Sequence, residues 1–246
     1  MAKAKPAKTA KKPAKSKGKK KPALWRRLLR WTGMTIVGVC VFLLLFVGMF
    51  RFVNPPINYY QAAEWVRHGE FRRDWVPLER MSRHLPLSAA AAEDAKFCDH
   101  YGFDFDAIQE ALEGGARRGA STISQQVSKN VFLWQGRSWV RKGLEAGFTV
   151  LIEGLWGKRR IMEVYLNVAE FDTGVFGVEA AAQHYFGMAA ADLGPQRSSA
   201  LMAVLPNPKD RSASQPTAGL QRRARSIAAG ARTLEAEGRA ACFRFG

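Results

Sequence analysis

Ala91–Asp104 reads AAEDAKFCDHYGFD. Whether it closes a buried helix or lies in a solvated loop decides how the chain folds. The alanines before it suit a tightly packed helix, and Glu93 and Asp94 stand at the edge of that run. Burying charge is expensive unless it is compensated. The pair is therefore either a solvated helix end or includes a carboxylate held back from water to move a proton.

Outward from this stretch the pattern is helical. In DFDAIQEALEGG, Asp104 is a candidate N-cap, Ile108, Ala111 and Leu112 share a face, and Gly114-Gly115 is the stop. STISQQVSKNVFLW begins a helix at Ser121, RSWVRKGLEAGFTVLIEGLW runs to Gly157, and KRRIMEVYLNVAEF ends before Gly174. GVEAAAQHYFG stops at Gly187, PQRSSALMAVL starts with Pro195 in the first turn, and AGLQRRARSIAAGARTLEAEG is a last amphipathic helix with its basic residues outward. Strand signals are few, so the fold class is all-α, with a groove rather than a barrel.

Two helical faces carry unusual chemistry. Gln125, Gln126, Lys129 and Asn130 share one face of the Ser121 helix, opposite Ile123, Val127 and Val131. The polar face is either solvated or ligand-facing. Arg137, Arg141 and Glu145 stack along the next helix, which alone reads as an ordinary salt-bridged face. Together, Lys129, Arg137 and Arg141 offer a point charge and two forked donors suited to phosphate. No metal-ligand spacing is present: there is no His-x-x-x-His and no Cys-x-x-Cys.

The N-terminal part has a different character. Residues 1–30 hold thirteen of the 38 Lys and Arg and no acid, leaving 25 against 21 elsewhere, a net of about +4. The net charge of +17 thus describes a low-complexity tail that cannot bury a core. Thr32–Phe50 is uncharged and long enough to cross a bilayer. An uncleaved anchor is favoured over a cleaved signal peptide, because the run is long and no small-x-small site follows. The expected layout is a basic cytoplasmic tail at 1–30, a transmembrane anchor at 31–53 broken by Asn54-Pro55-Pro56, and an extracytoplasmic domain at 54–246. INYYQAAEWV either lies against headgroups or packs on the domain. Cys98 and Cys242 share the outer compartment and could pair, but at 144 residues apart the sequence does not show it, and free thiols are the expectation. The tail alone suggests nucleic acid, but beside an anchor its charge is explained by anionic lipid, so no nucleic-acid partner is expected.

EDAKFCDHYGFD, GASTISQQVSKN, RKGLE and KRRIMEVYLN follow one another behind a single anchor. In this order they resemble the four main motifs of the peptidoglycan glycosyltransferases, which polymerise lipid II. AEFDTGVFGVEAAAQHYFG and LMAVLPNP extend the resemblance over roughly residues 60–237. With no transpeptidase segment following, it is to the monofunctional members. The resemblance implies a lysozyme-like helical domain and inverting transfer of the growing chain, from its lipid pyrophosphate to the 4-hydroxyl of lipid II.

By the same resemblance Glu93 is the general base, its pKa raised by burial, and Glu145 is the second glutamate, orienting cations or the acceptor. Lys129 and Arg137 match positions that bind the pyrophosphate, with Arg141 beside them. Ser121, Thr122, Gln125, Gln126 and Asn130 would line the groove. Phe97 is read as packing and His100 as a buried hydrogen-bonding residue. Asp172 stands where the family commonly has Gly. No cofactor is required, although magnesium or manganese could assist the pyrophosphate. The implied partners are lipid II, the glycan strand, the membrane and other cell wall synthesis proteins. The implied location is the bacterial inner membrane, with the catalytic domain periplasmic. A lytic hydrolase would also need a catalytic glutamate but has little use for a phosphate clamp.

Overall fold

In the computed structural model, residues 1, 24–114, 121–136 and 138–243 are described. The chain divides into two units, Met1–Leu43 and Leu44–Gly246. The predicted tail and Arg137 lie outside the described residues, apart from Met1 and the stretch from Leu24 on.

The first unit is the bulk of helix α1 (Leu24–Met49). Its 26 residues reach roughly 39 Å at ~1.5 Å per residue, more than the ~30 Å hydrocarbon core. It is the one helix among the described residues long and apolar enough to cross a membrane. It ends at Met49, before the Asn54-Pro55-Pro56 breaker that the sequence suggests. The carbonyls that would continue it accept from amides three residues on, Val47 O from Phe50 N at 3.2 Å, Gly48 O from Arg51 N at 3.1 Å and Met49 O from Phe52 N at 3.1 Å. Beyond them the Arg160 guanidinium donates to Phe50 O at 3.1 Å and to Val53 O at 2.9 Å.

The second unit is mainly α, as expected. It contains α2 (Tyr59–His68), α3 (His84–Glu93), α4 (Phe105–Glu113), α5 (Ile123–Phe132) and α6 (Trp139–Leu155). It continues with α7 (Lys158–Val168), α8 (Val178–Phe186), α9 (Pro195–Val204) and α10 (Ala218–Ala236). Asp104 caps α4, Pro195 opens α9 and Gly187, in the left-handed region, closes α8, all as read from sequence. The Gly194 and Thr217 caps and the α3/α9/α10 packing place Leu85, Leu201 and Leu234 in one core.

A small sheet was not foreseen. β1 (Arg72–Arg73) runs parallel to β3 (Val175–Phe176), and β2 (Glu170–Asp172) runs antiparallel to it. Gly174 makes this possible. It has φ +72°, and a Cβ there would sit 2.6 Å from the Glu70 carbonyl, while its own carbonyl accepts from Arg72 N at 2.9 Å. Asp172 does not face open space: its carboxylate accepts from Tyr185 Oη at 3.1 Å and lies 3.0 Å from His184 Nε2.

Two other expectations are corrected. Cys98 and Cys242 are not free thiols but form a disulfide across 144 residues. α10 and the 3₁₀ turn Ala241–Phe243 fold back on the loop after α3, where Phe243 meets Phe97 and Arg239 donates to Ala95 O at 3.0 Å. The basic residues of α10 are not all outward, since Arg223 turns towards Glu93. α2 is reversed from the usual amphipathic arrangement: Gln61 and Glu64 are buried, while Tyr59, Trp65 and Val66 are exposed.

Candidate active site

Glu93 is the last residue of α3, at the end of an alanine helix buried against α9 and α10. Its Oε2 accepts from Gln126 Nε2 on α5 at 2.9 Å, and its Oε1 lies 3.7 Å from Arg223 Nη2 on α10. Burial pushes the Glu93 carboxyl above the usual range; the Gln126 hydrogen bond and the Arg223 and Lys129 charges pull back, less strongly. A carboxyl pKa raised in this direction is what a general base requires.

Asp94 does a different job. Its Oδ2 accepts from Ile123 N at 3.0 Å and its Oδ1 meets His100 Nε2 at 2.9 Å. It thereby fastens the α3 end to the first residue of α5 and holds His100, the hydrogen-bonding residue expected. Phe97 is fully packed, with the Lys158 ammonium 4.5 Å from its ring centroid. Lys158 also pairs with buried Glu153 at 2.8 Å, which accepts from Ser124 on α5.

Two cavities flank the Glu93–Gln126 bond. One, of about 280 Å³, is lined by Glu93, Lys96, Asp104, Ser121 and Thr122. The other, of about 190 Å³, is lined by Tyr60, Gln126, Lys129, Asn130, Tyr165 and Glu170. Lys129 is the cation of the second. Desolvation lowers its pKa most, Arg141 and Lys142 lower it further, and Glu145 and Glu93 raise it. No carboxylate among the described residues lies within 4 Å of its ammonium, so its charge is available to an anionic ligand. Glu145 is buried and ion-paired to Arg141 at 2.7 Å and to Lys142.

The structure thus gathers Glu93, Ser121, Thr122, Gln126, Lys129 and Asn130 around two adjoining cavities. Gln125 departs from the expectation. It is buried and completes a capping box with Thr122, its Oε1 accepting from Thr122 N at 3.0 Å, so it builds the helix start rather than the groove wall. Arg141 and Glu145 line neither cavity and act on Lys129 through charge.

The family model described as Transglycosylase matches residues 61–232. A protein of Jannaschia sp. named biosynthetic peptidoglycan transglycosylase is 51% identical over 220 residues, 89% of this chain and 92% of that one. Proteins of the same name from Rhodospirillum centenum and Pseudomonas fluorescens are 45% and 50% identical, covering 88% and 82% of this chain and 96% and 86% of theirs.

The chain belongs to the transglycosylase family.

This transglycosylase has site groups that reading the sequence did not single out. Tyr165, Tyr60 and Glu170 line the Lys129 cavity, and burial pushes up the Tyr165 hydroxyl and the Glu170 carboxyl. Lys142 completes the cation cluster around Glu145. RKGLE gives an i, i+3 signal for Lys142; Glu170 and Arg223 have no local signal. Among the described residues of the transglycosylase, no three His, Cys, Asp or Glu converge to hold a metal.

Proposed function

We propose that the chain polymerises peptidoglycan glycan strands. The acceptor, lipid II, places its sugar in the Glu93/Ser121/Thr122 cavity, and the donor's lipid pyrophosphate lies at Lys129. Glu93 takes the proton of the acceptor 4-hydroxyl as that oxygen attacks the donor anomeric carbon. The carbon–phosphate oxygen bond breaks with inversion, and the pyrophosphate departs as an anion. The leaving group needs cations in place rather than a strong acid. Lys129, backed by the Arg141–Glu145–Lys142 cluster, supplies them, with Arg137 assigned alongside by the motif it occupies. A magnesium or manganese ion travelling with the pyrophosphate would add to that charge.

The observation that carries this reading is the half-buried, desolvated Glu93 carboxyl between two cavities, one of them holding an ammonium with no carboxylate partner among the described residues. We place α1 across the inner membrane with residues 1–30 in the cytoplasm, from the charge asymmetry around the apolar run. The domain from residue 54 then works on the outer face.

The test is to give lipid II to the detergent-solubilised full chain. Polymer is expected, with Glu93→Gln lowering turnover about 10³-fold while the protein stays folded. A folded Glu93→Gln protein that polymerises normally would overturn the assignment of the base. Release of fragments from preformed glycan, without polymer, would make the chain a hydrolase.

A further inference from the structure

Among the groups facing Glu93, one comes from a part of the chain to which the reaction has assigned nothing. α10 packs on α3 through small residues, with a Cβ on Gly230 only 3.4 Å from the Ala91 methyl. That close approach lets α10 deliver Arg223 to the mouth of the site. Its Nη2 stands 3.7 Å from Glu93 Oε1, and its Nε is buried with no hydrogen-bond partner. A guanidinium normally satisfies its buried donors, so an unpaired Nε beside a carboxylate suggests placement for charge rather than for anchoring α10. The two Glu93 oxygens thus meet different groups: Oε2 a neutral amide, Oε1 a cation beyond hydrogen-bond length.

We propose that Arg223 is a positioning residue for the reaction, standing at Glu93 Oε1 so that its charge keeps the carboxylate ready as base between turnovers. The inference rests on the reading of Glu93 as base. The other groups facing Glu93 are few. Asp94 follows it in sequence and is bonded to Ile123 N and His100. α5 brings Gln126 and Lys129, and α7 brings Tyr165. α9 turns Arg197 to Phe186 and Met188 instead, and Lys96 is paired with Asp106 at 2.7 Å. Of the cations, Lys129 is committed to the donor cavity. Lys96, which lines the acceptor cavity, is committed to Asp106, and Arg223 is the cation that stands at Glu93 Oε1, where its charge opposes the burial that favours the protonated form.

The 3.7 Å separation matters to this role. A guanidinium bonded directly to Glu93 Oε1 would occupy a lone pair of that oxygen and compete there with the acceptor hydroxyl. At this distance it biases ionisation and leaves Oε1 free to accept a proton. Once Glu93 is protonated, the same charge favours release of the proton.

The experiment compares pH profiles of kcat/KM on lipid II for the full chain in detergent, with Arg223→Gln and Arg223→Lys. Losing the charge should raise the Glu93 pKa, so the acid limb of Arg223→Gln moves up by about half a pH unit. That is roughly a threefold loss of rate on the limb, with the alkaline plateau near that of the parent chain. Arg223→Lys should restore the limb. An unchanged limb, or a plateau lowered equally at every pH in both variants, would overturn the proposal. So would a lysine variant that behaves like the glutamine one. If Arg223→Gln does not fold, Arg223→Lys decides: its limb must match that of the parent chain, and a displaced limb overturns the proposal. Glu93→Gln run in parallel separates the two claims: if it is inactive while the Arg223→Gln limb stays put, only the role of Arg223 falls.

Discussion

Gln126 Nε2 donates to Glu93 Oε2 at 2.9 Å, joining the end of α3 to the first turn and a half of α5 and dividing one cavity from the other. The bond favours the ionised carboxylate against burial. Gln126→Leu should therefore raise the Glu93 pKa further. Polymerisation should fall about tenfold on the acid limb of the profile and much less on its alkaline plateau. The pH–rate profile checks this; an equal loss at all pH values would mean that Gln126 acts by shape alone.

Glu93 itself should reduce stability at neutral pH. Its folded pKa lies above the unfolded value because of burial. A carboxyl with that shift binds its proton more tightly when folded, so stability falls as pH rises from the unfolded pKa through the folded one. Glu93→Gln should melt at or above the parent temperature at pH 7.5, and the advantage should vanish near pH 4. Calorimetry at the two pH values is the measurement; a lower melting temperature at pH 7.5 would assign Glu93 a structural role.

The Glu145–Arg141–Lys142 cluster predicts a double effect. Removing the carboxylate leaves Arg141 buried beside a second cation, so Glu145→Ala should lose about 3 kcal/mol in chemical denaturation. Glu145 also helps keep Lys129 charged against desolvation. Without it the Lys129 pKa drops, and apparent affinity for lipid II should weaken on the alkaline side first. A variant with normal affinity at pH 9 would detach this cluster from the donor cavity.

Reduction should loosen the chain. The Cys98–Cys242 disulfide closes a 144-residue loop, for which the chain-entropy picture gives about 5 kcal/mol and experience with other proteins about 2–4. Cys98→Ser should melt several degrees lower under oxidising conditions. Dithiothreitol should lower the parent chain to match and leave the variant unchanged. Equal melting with and without reductant would show that the pair is not bonded in solution.

Gly102 has φ +86°, and a Cβ there would lie 2.7 Å from Thr149 Cγ2 and 3.1 Å from Glu153 Cγ. Its carbonyl accepts from Thr122 Oγ1 at 2.7 Å, next to the α5 cap. Gly102→Ala should destabilise by about 1–3 kcal/mol and lower turnover as well, because the Thr122 end of the acceptor cavity shifts. Denaturation and rate measured on one preparation test both; loss of stability with full activity would show that the cavity tolerates the shift.

Much of this was local and could be read directly. The Asp104 cap bonds to the backbone N–H three residues on, as read; Thr122 and Ser138 cap α5 and α6 in the same way, where the reading began the first of those helices at Ser121. The apolar face of α5 repeats at helical spacing through Ile123 and Val127, whereas α7 is buried almost all round from Ile161 to Val168. Four ordered motifs were enough to point to the family and to Glu93, Lys129 and Glu145. Short strands were not legible, because two residues at Arg72–Arg73 and two at Val175–Phe176 cannot display an alternating pattern. Gln125 was misread because its face is polar in sequence, while its amide is spent on the backbone of Thr122.

The sequence by itself determined the helical runs from α4 onward, the Asp104 cap, the Pro195 start and the Gly187 stop, the apolar span and the residue types of the site, since these follow from spacing and capping within a few residues. Only the tertiary structure decided that Cys98 meets Cys242, that Gln125 turns inward while Gln126 reaches Glu93, and that Arg223 stands at the same carboxylate. Those pairings depend on how α3, α5 and α10 close over a common core. No short stretch encodes them, because the free energy that selects them comes from burial shared by segments far apart in the chain.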